Sequence, residues 1–408
     1  MKIRNIHIKN FRSLHDLVMD DVGDLTILIG SNSSGKSNLL EALKLFFNEL
    51  DPAAQRNIGA VNDYIWFDRN PKKPVEFRIT IELSKDELEA TIPKEILREL
   101  KTTNNTITIV REISGTPSNA LWRTREIKVN DTFLIKEGKF VYKPHEEVVP
   151  APAQEKGKTS PSQSQTTPPT PDFLGTLLQN VAQNFKGKFK LIEAARDVVS
   201  SPTRLGDRVS FIQPASLGRL NTLAQTLNRP DERKWIEIDR SIKKVSPHIQ
   251  DIRYLGGQIT MREKGSDMHF PISLMGGGDQ EVSFIIHQLL EDGNLIFGIE
   301  EPELHLHPQL ARQLFNVLKE ISRKKQIFIT THSTIFIDQS DLSNTWIVRK
   351  VGKETEIVRI REPEGLKNIL YELGVRPSDI FYTNGIIFVE GPTEKLCFLF
   401  WHKKWALI

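Results

Sequence analysis

Apolar residues mark a first strand at Ile3, Ile6 and Ile8, closed by Phe11 ahead of the polar pair Arg12 and Ser13. A second apolar run, Leu25 to Ile29, ends at Gly30 and opens into a glycine- and serine-rich stretch reaching Ser37. Leu39, Leu40, Leu43, Phe46 and Phe47 then recur at helical spacing, so the predicted order is strand, glycine loop, helix. Residues 75–83 alternate as a half-buried strand, and 106–111 and 125–135 look similar, which makes this middle region β-rich.

The pattern collapses between about Val148 and Pro171 into Pro, Ser, Thr, Gln and Lys. Such a stretch has too little apolar surface to offset its ordering entropy and reads as a disordered insertion. Patterning resumes at Asp172 with a helix over 173–186 and a short strand over 188–193. Another helix spans roughly 230–245, with Pro230, Asp231 and Glu232 in its first turn and Lys243 and Lys244 in its last. Its apolar positions Trp235, Ile238, Ile242 and Val245 share one face. The two helices either project as an arm or dimerisation insert, or simply cover a sheet. Paired strands near 251–272 lead to Gly276-Gly277-Gly278 and a helix from Asp279 to about Leu290. Leu295 to Ile299 and Gln326 to Thr330 are buried strands with a helix at 308–322 between them. Unalternating apolar strands separated by helices predict an α/β fold whose sheet is mostly parallel and covered on both faces.

Composition narrows the partners and the compartment. The chain has 408 residues, 38% hydrophobic and 26% charged, in the range of a globular protein of two or three units. A net charge of +3 argues against a globally basic surface and leaves room for a local basic patch. The single cysteine, Cys397, rules out an internal disulfide framework and fits a reducing cytosol. The opening MKIRNIHIKN has no apolar core of a signal peptide, and no apolar run nears the roughly 18 residues of a membrane span. A cytoplasmic location without membrane contact is expected.

The strongest chemical signal is Gly30-Ser31-Asn32-Ser33-Ser34-Gly35-Lys36-Ser37, which fits G-x-x-x-x-G-K-[ST] between a buried strand and a helix. Its glycines let backbone N–H groups wrap a phosphate, and the following helix adds the positive end of its dipole. Lys36 would bridge the β- and γ-phosphates of ATP, the Ser37 hydroxyl would hold Mg²⁺, and Asn38 follows in the same nucleotide-binding run. The second signal is the pair Glu300-Glu301 closing the strand from Leu295. A P-loop ATPase needs one carboxylate at the end of a strand beside the loop to orient Mg²⁺, the role suited to Glu300. It needs a second to polarise the attacking water, suited to Glu301.

Thr330-Thr331-His332-Ser333 ends the next strand, and His332 there could contact the γ-phosphate. Gly276, Gly277, Gly278 and Gln280 open a helix and offer a second anion site. One chain does not need two such sites for one triphosphate, so either a second subunit uses this one across an interface or the glycines are a hinge or tight turn. Arg196 either stabilises phosphate charge or makes a surface salt bridge.

The N-terminal Ile-x-x-Phe-Arg-Ser strand, the P-loop, the glycine signature, the run Glu300 to Pro308 and Thr-His-Ser resemble the ABC-type ATPase heads of RecF and SMC proteins. In those heads two copies sandwich two ATPs, each signature facing the other's P-loop. Glu300, where many relatives carry Asp, is closer to the OLD (overcoming lysogenisation defect) nucleases and related anti-phage ATPases. The resemblance covers residues 1–50 and about 270–340, and no Q-loop is recognisable between them. Ile386 to Glu394 looks like the opening strand and glutamate loop of a TOPRIM domain, in which the position of Glu390 binds a divalent metal. TOPRIM also requires a later Asp-x-Asp, yet seventeen residues follow Gly391 and only Glu394 among them is acidic. The nuclease site is therefore expected to be incomplete in this chain.

The resemblance implies an ABC-type P-loop ATPase head with a β-rich lobe, a helical insert and a truncated TOPRIM start. Its divisions would be 1–147 (P-loop and β-rich lobe), 148–171 (insertion), 172–250 (helical arm or dimerisation insert), 251–383 (second part of the head) and 384–408 (TOPRIM start). It further implies ATP and Mg²⁺ as cofactors, with a second divalent metal at Glu390. The partners would be a second copy through the heads, DNA, and a nuclease or defence protein. Two alternatives stand beside this ATPase: a working metal-dependent nuclease completed by further chain or a partner, and a non-catalytic scaffold stabilised by ATP.

Overall fold

The computed structural model describes residues 1–50, 55–59, 65–100, 104–142, 173–194, 232–255, 258–290, 293 and 295–360. The expected insertion at 148–171, Arg196, Glu390 and the whole of 384–408 lie outside these residues. In chain order the first elements are β1 (Lys2–Phe11), β2 (Leu14–Met19), β3 (Leu25–Ile29), α1 (Lys36–Asn48), β4 (Gln55–Gly59), β5 (Val75–Glu82), α2 (Lys85–Thr91) and α3 (Lys94–Glu99). Then come β6 (Thr106–Thr116), β7 (Asn119–Val129), β8 (Thr132–Lys136), β9 (Lys139–Phe140), α4 (Phe173–Phe185), β10 (Phe189–Ile192) and α5 (Glu232–Val245). The rest are β11 (Ile249–Leu255), β12 (Gln258–Glu263), β13 (Phe270–Pro271), α6 (Gly277–Leu290), β14 (Ile296–Glu300), α7 (Pro308–Ile321), β15 (Gln326–Thr331), α8 (Thr334–Gln339), β16 (Thr345–Val351) and β17 (Glu354–Arg359).

Three sheets form. The six-stranded one runs β10-β14-β15-β3-β16-β17, and only its β16–β17 hairpin is antiparallel. The eight-stranded sheet follows β2-β1-β5-β6-β7-β8-β9, with β4 added beside β7, and is antiparallel throughout. A small sheet of β11, β12 and β13 completes the set.

Each strand of the parallel sheet feeds two cores because successive side chains point to opposite faces. Leu28, Ile296 and Phe328 join the core that contains α1, α4 and the antiparallel sheet. Ile27, Ile29, Phe297, Ile299, Ile327 and Ile329 join the core under α5, α6, α7 and α8. With water excluded from both faces, no polar alternation is required, which is why these strands read as plain apolar runs. The described helices of the 172–250 stretch both lie against packed layers: α4 buries Leu177, Val181 and Phe185 in the first core, and α5 buries Ile238, Ile242 and Val245 in the second.

Helix α1 ties the two large sheets together. Gly298 of β14 passes so close that a Cβ there would meet Leu40 at 3.2 Å. At the other end of the helix, Glu49 O accepts hydrogen bonds from Arg111 Nη1 at 2.8 Å and Trp122 Nε1 at 2.9 Å, both from the antiparallel sheet. Arg111 is fully buried with its guanidinium stacked 4.2 Å from the Trp122 ring centroid. A cation at a helix C-terminus also suits the helix dipole.

The structure departs from the sequence reading in several places. The single strand expected at 125–135 is two strands, parts of β7 and β8, joined by a turn in which Asn130 takes φ 49°. Asparagine tolerates that left-handed conformation, and the apolar pattern continues across the turn and hides it. β6 runs on past residue 111 because Arg111 and Glu112 are buried despite their charge. Helix α6 begins at Gly277 rather than Asp279, since the amides of Asp279 and Gln280 both donate to Gly276 O.

Candidate functional site

Register brings the chemistry to one edge. β15 pairs with both β14 and β3, opposing Thr330 to Glu300 and Thr331 to Ile29. The residues that follow these strand ends, Gly30, Glu301 and His332, therefore emerge together at the carboxyl edge of parallel strands, where open α/β sheets bind ligands. The glutamate strand is not the immediate neighbour of the P-loop strand, since β15 lies between β14 and β3, yet Glu300 and Glu301 still line the cleft over the loop. The helical crossover α7 delivers the chain from β14 to β15, so the histidine strand takes the adjacent place.

The P-loop is gripped from two sides. A Cβ on Gly30 would sit 2.0 Å from Val348 O of β16, so only glycine allows that approach. Thr355 of β17 donates its hydroxyl to Ser34 O at 2.8 Å and lies 2.7 Å from Ser13 Oγ, which also accepts from Asn38 Nδ2 at 2.8 Å. The loop's concave side is prepared for an anion. Gly35 is the N-cap of α1, no side chain caps that end, and no acid occupies the first turn. Ser34 Oγ is buried without a hydrogen-bond partner among the described residues. These features fit a nucleotide phosphate.

A cleft of about 550 Å³ opens over this loop. Residues Asn32 to Asn38 line it, together with Glu300, Glu301, Thr330 and His332. Lys36 is the hub. Its Nζ donates to Gly30 O at 2.8 Å and Ser31 O at 3.0 Å and lies 3.0 Å from His332 Nε2. Burial lowers its pKa to about 8, against the opposing pull of Glu301, Glu300 and Glu303. Burial and the Lys36 charge also push His332 below its ordinary value, so the ring is neutral near pH 7. With Lys36 donating, Nε2 is the acceptor and the ring proton sits on Nδ1. The 3.4 Å contact between Nε2 and Glu301 Oε1 then joins two acceptors and is not a hydrogen bond in that state.

Ser37 and Glu300 both line the cleft. Among the described residues no group of three His, Cys, Asp or Glu side chains could hold a metal. One hydroxyl and one carboxylate nevertheless suit Mg²⁺, which takes few protein ligands and fills its shell with substrate phosphates and water.

Gly276 to Gln280 are not part of this cleft. Gly276 and Gly277 are exposed at the start of α6, while Asp279 turns inward to accept from Ser246 Oγ at 2.6 Å and meet His248 Nε2 at 3.1 Å. Gln280 Nε2 donates to Met275 O at 2.8 Å. The carboxylate of Asp279 is engaged by Ser246 and His248 while its Oδ2 stays near Gly276, where a Cβ would lie 3.6 Å from it.

Sequence reasoning missed several neighbours of the cleft. Ser13, Lys350 and Ala194 line it, and Thr355 supports it from behind. No local pattern marks Lys350 or Thr355, which arrive on a hairpin paired to β3 over three hundred residues later in the chain. Glu303 was also given no role, although its Oε1 accepts from Thr331 Oγ1, from His332 N at 3.1 Å and from Ser333 N at 3.1 Å. Burial raises the Glu303 carboxyl despite those bonds.

Comparison with known proteins follows the same outline. The sequence profile of the AAA ATPase domain family matches residues 1–337. The "OLD nuclease" of Thermus scotoductus is 23% identical over 97% of this chain and 73% of its own length. The "Endonuclease GajA" of Bacillus cereus is 25% identical over 98% of this chain and 67% of its own length. The SMC head domain from Thermotoga maritima matches with a TM-score of 0.50 at 16% identity, covering 89% of this chain and all of that one. An Smc head domain from Pyrococcus furiosus gives 0.51 at 14% identity, covering 91% of this chain and 99% of that one. The fold is thus that of an SMC head, an ABC-type P-loop ATPase fold of mixed α/β class. No helix among the described residues is long and apolar enough to cross a membrane.

Proposed function

The chain belongs to the AAA ATPase domain family, and from that membership we propose that it binds ATP with Mg²⁺ and hydrolyses it in the cleft over Gly30–Ser37. The observation that carries this is the meeting of Lys36, Glu301 and His332 at one strand edge, within 3.0 and 3.4 Å of the same imidazole nitrogen. Lys36 leaves the carbonyls of Gly30 and Ser31 for the β- and γ-phosphate oxygens, the stronger charge-assisted acceptors. Amides of the loop and the open end of α1 hold the phosphate chain. Ser37 and Glu300 hold Mg²⁺, which when bound draws charge from the phosphate oxygens. Glu301 accepts the proton of the attacking water, and His332, once Lys36 has turned to the phosphates and the ring takes the tautomer with its proton on Nε2, donates to the γ-phosphate and so reports its presence.

Gly276, Gly277, Gly278 and Gln280 do not line this cleft and serve the nucleotide of a second copy. Two heads then close on two ATPs and reopen on hydrolysis, and that movement regulates DNA processing, with anti-phage defence as the biological setting. Glu301→Gln tests the assignment: it should retain ATP binding, lower turnover by about 10²–10⁴-fold and accumulate dimer in size-exclusion chromatography with ATP. Equal turnover in the variant and the wild type removes Glu301 from the role of base.

A second reading rests on the names of the two relatives, nuclease and endonuclease, each aligned over nearly the whole chain. In it the chain contributes Glu390 to a divalent-metal site that cleaves DNA. Nicking of supercoiled plasmid that is lost in Glu390→Ala supports this reading. No nicking with Mg²⁺ or Mn²⁺, with or without ATP, refutes it.

A further inference from the structure

The acidic run beyond β14 holds a third glutamate that the ATPase reading leaves without a task. The chain turns sharply after Glu300: Glu301 takes φ 45°, Leu304 N donates to Glu301 O at 3.0 Å, and the next residues fold back toward β15. Glu303 is thereby carried to the end of the neighbouring strand. Its Oε1 gathers three donors there, the Thr331 hydroxyl and the amides of His332 and Ser333, while Ser333 N also reaches Thr331 Oγ1 at 2.9 Å. Ser333 then caps α8 by accepting from Ile335 N at 3.2 Å. The two amides have left the sheet ladder, and the Glu303 carboxylate is an acceptor they share.

We propose that Glu303 is a positioning residue for ATP hydrolysis: its carboxylate locks the Thr331–Ser333 turn so that His332 is held between Lys36 and Glu301. A carboxylate suits the task because it is acceptor-only and takes several donors on one oxygen. Its second oxygen is buried with no hydrogen-bond partner among the described residues, so the turn supplies the bonds from neighbouring residues that hold the carboxylate. The link also runs from the strand bearing Glu300 and Glu301 to the strand bearing His332. Displacing one displaces the other, which keeps the water-activating group and the phosphate-contacting group in register.

This rests on the hydrolytic reading of the same cleft, so the test has one arm that needs no turnover. In the full-length protein, amide hydrogen exchange at His332 and Ser333 should quicken at least tenfold in Glu303→Ala and stay near wild type in Glu303→Gln, which keeps an acceptor oxygen. In the second arm, Glu303→Ala should leave the Kd for a fluorescent ATP analogue within about twofold while kcat falls roughly 10–100-fold, the scale of a misplaced catalytic group. Glu303→Gln should recover much of kcat. In a His332→Ala background, Glu303→Ala should cost no further kcat, because both act through one side chain. Unchanged exchange in Glu303→Ala, or additive losses in the double variant, overturns the proposal. Absence of turnover in the wild type refutes the hydrolytic reading, and the exchange arm alone then decides whether the clamp exists.

Discussion

Replacing Gly35 by alanine strains the nucleotide loop in two separable ways. Gly35 has φ 107° and ψ 8°, a conformation that costs a residue with a Cβ about 1–3 kcal/mol. The added Cβ would also lie 2.1 Å from Thr355 Oγ1, 2.9 Å from Thr355 Cγ2 and 3.0 Å from Ser13 Oγ. Thr355 cannot swing aside freely, since it is 5% exposed and its hydroxyl is engaged with Ser34 O and Ser13 Oγ. Overpacking of this kind costs about 1–3 kcal/mol. The two effects together predict a loss of about 2–6 kcal/mol for Gly35→Ala, a large share of the 5–15 kcal/mol that ordinarily holds a domain folded. Urea unfolding followed by fluorescence and by circular dichroism measures it, and ATP binding by the surviving native fraction should weaken as well. Thr355→Ala removes the two closest steric contacts, leaving that with Ser13 Oγ and the backbone part. The double variant should therefore be more stable than the sum of the singles by about 1–2 kcal/mol. A Gly35→Ala protein within about 0.5 kcal/mol of wild type, the size of an inert surface change, or strict additivity in the double variant, would refute this account of the loop.

Other outcomes follow from the same contacts. His287, fully enclosed on α6, has its pKa lowered to about 4 by burial, while its unfolded counterpart titrates near 6.5. The unfolded chain binds the extra proton first, so stability should decline as pH falls from 6.5 towards 4, by about 3 kcal/mol over that window. Chemical unfolding at a series of pH values checks this, and His287→Phe should flatten the slope. Arg111→Ala removes a fully buried side chain that caps α1 through Glu49 O, and should cost about 2–5 kcal/mol. An unfolding midpoint unchanged in Arg111→Ala would show that Trp122 suffices to hold the end of that helix.

Short-range physics decided much of this protein before any folding. The strand before Gly30, the glycine loop and the helix after it are dictated by local patterning, because phosphate cradling needs contiguous backbone amides. Buried parallel strands declare themselves through unbroken apolar runs, and that is why β3, β14 and β15 were legible along with the helices between them. Glu300, Glu301 and His332 were legible as candidates because they stand where such strands stop. What the chain order could not specify was who stands beside whom. β15 lies between the glutamate strand and the P-loop strand, Thr355 and Lys350 arrive at the loop from a distant hairpin, and Arg111 is drawn inside by a carbonyl at the end of α1. Glu303 is the sharpest case, a polar residue in a turn until the fold places two amides and a hydroxyl around it. Periodicity reports which face of an element is dry, since burial repeats along one segment. Partners across a strand edge are chosen by packing and register between segments, and only the tertiary structure sets those.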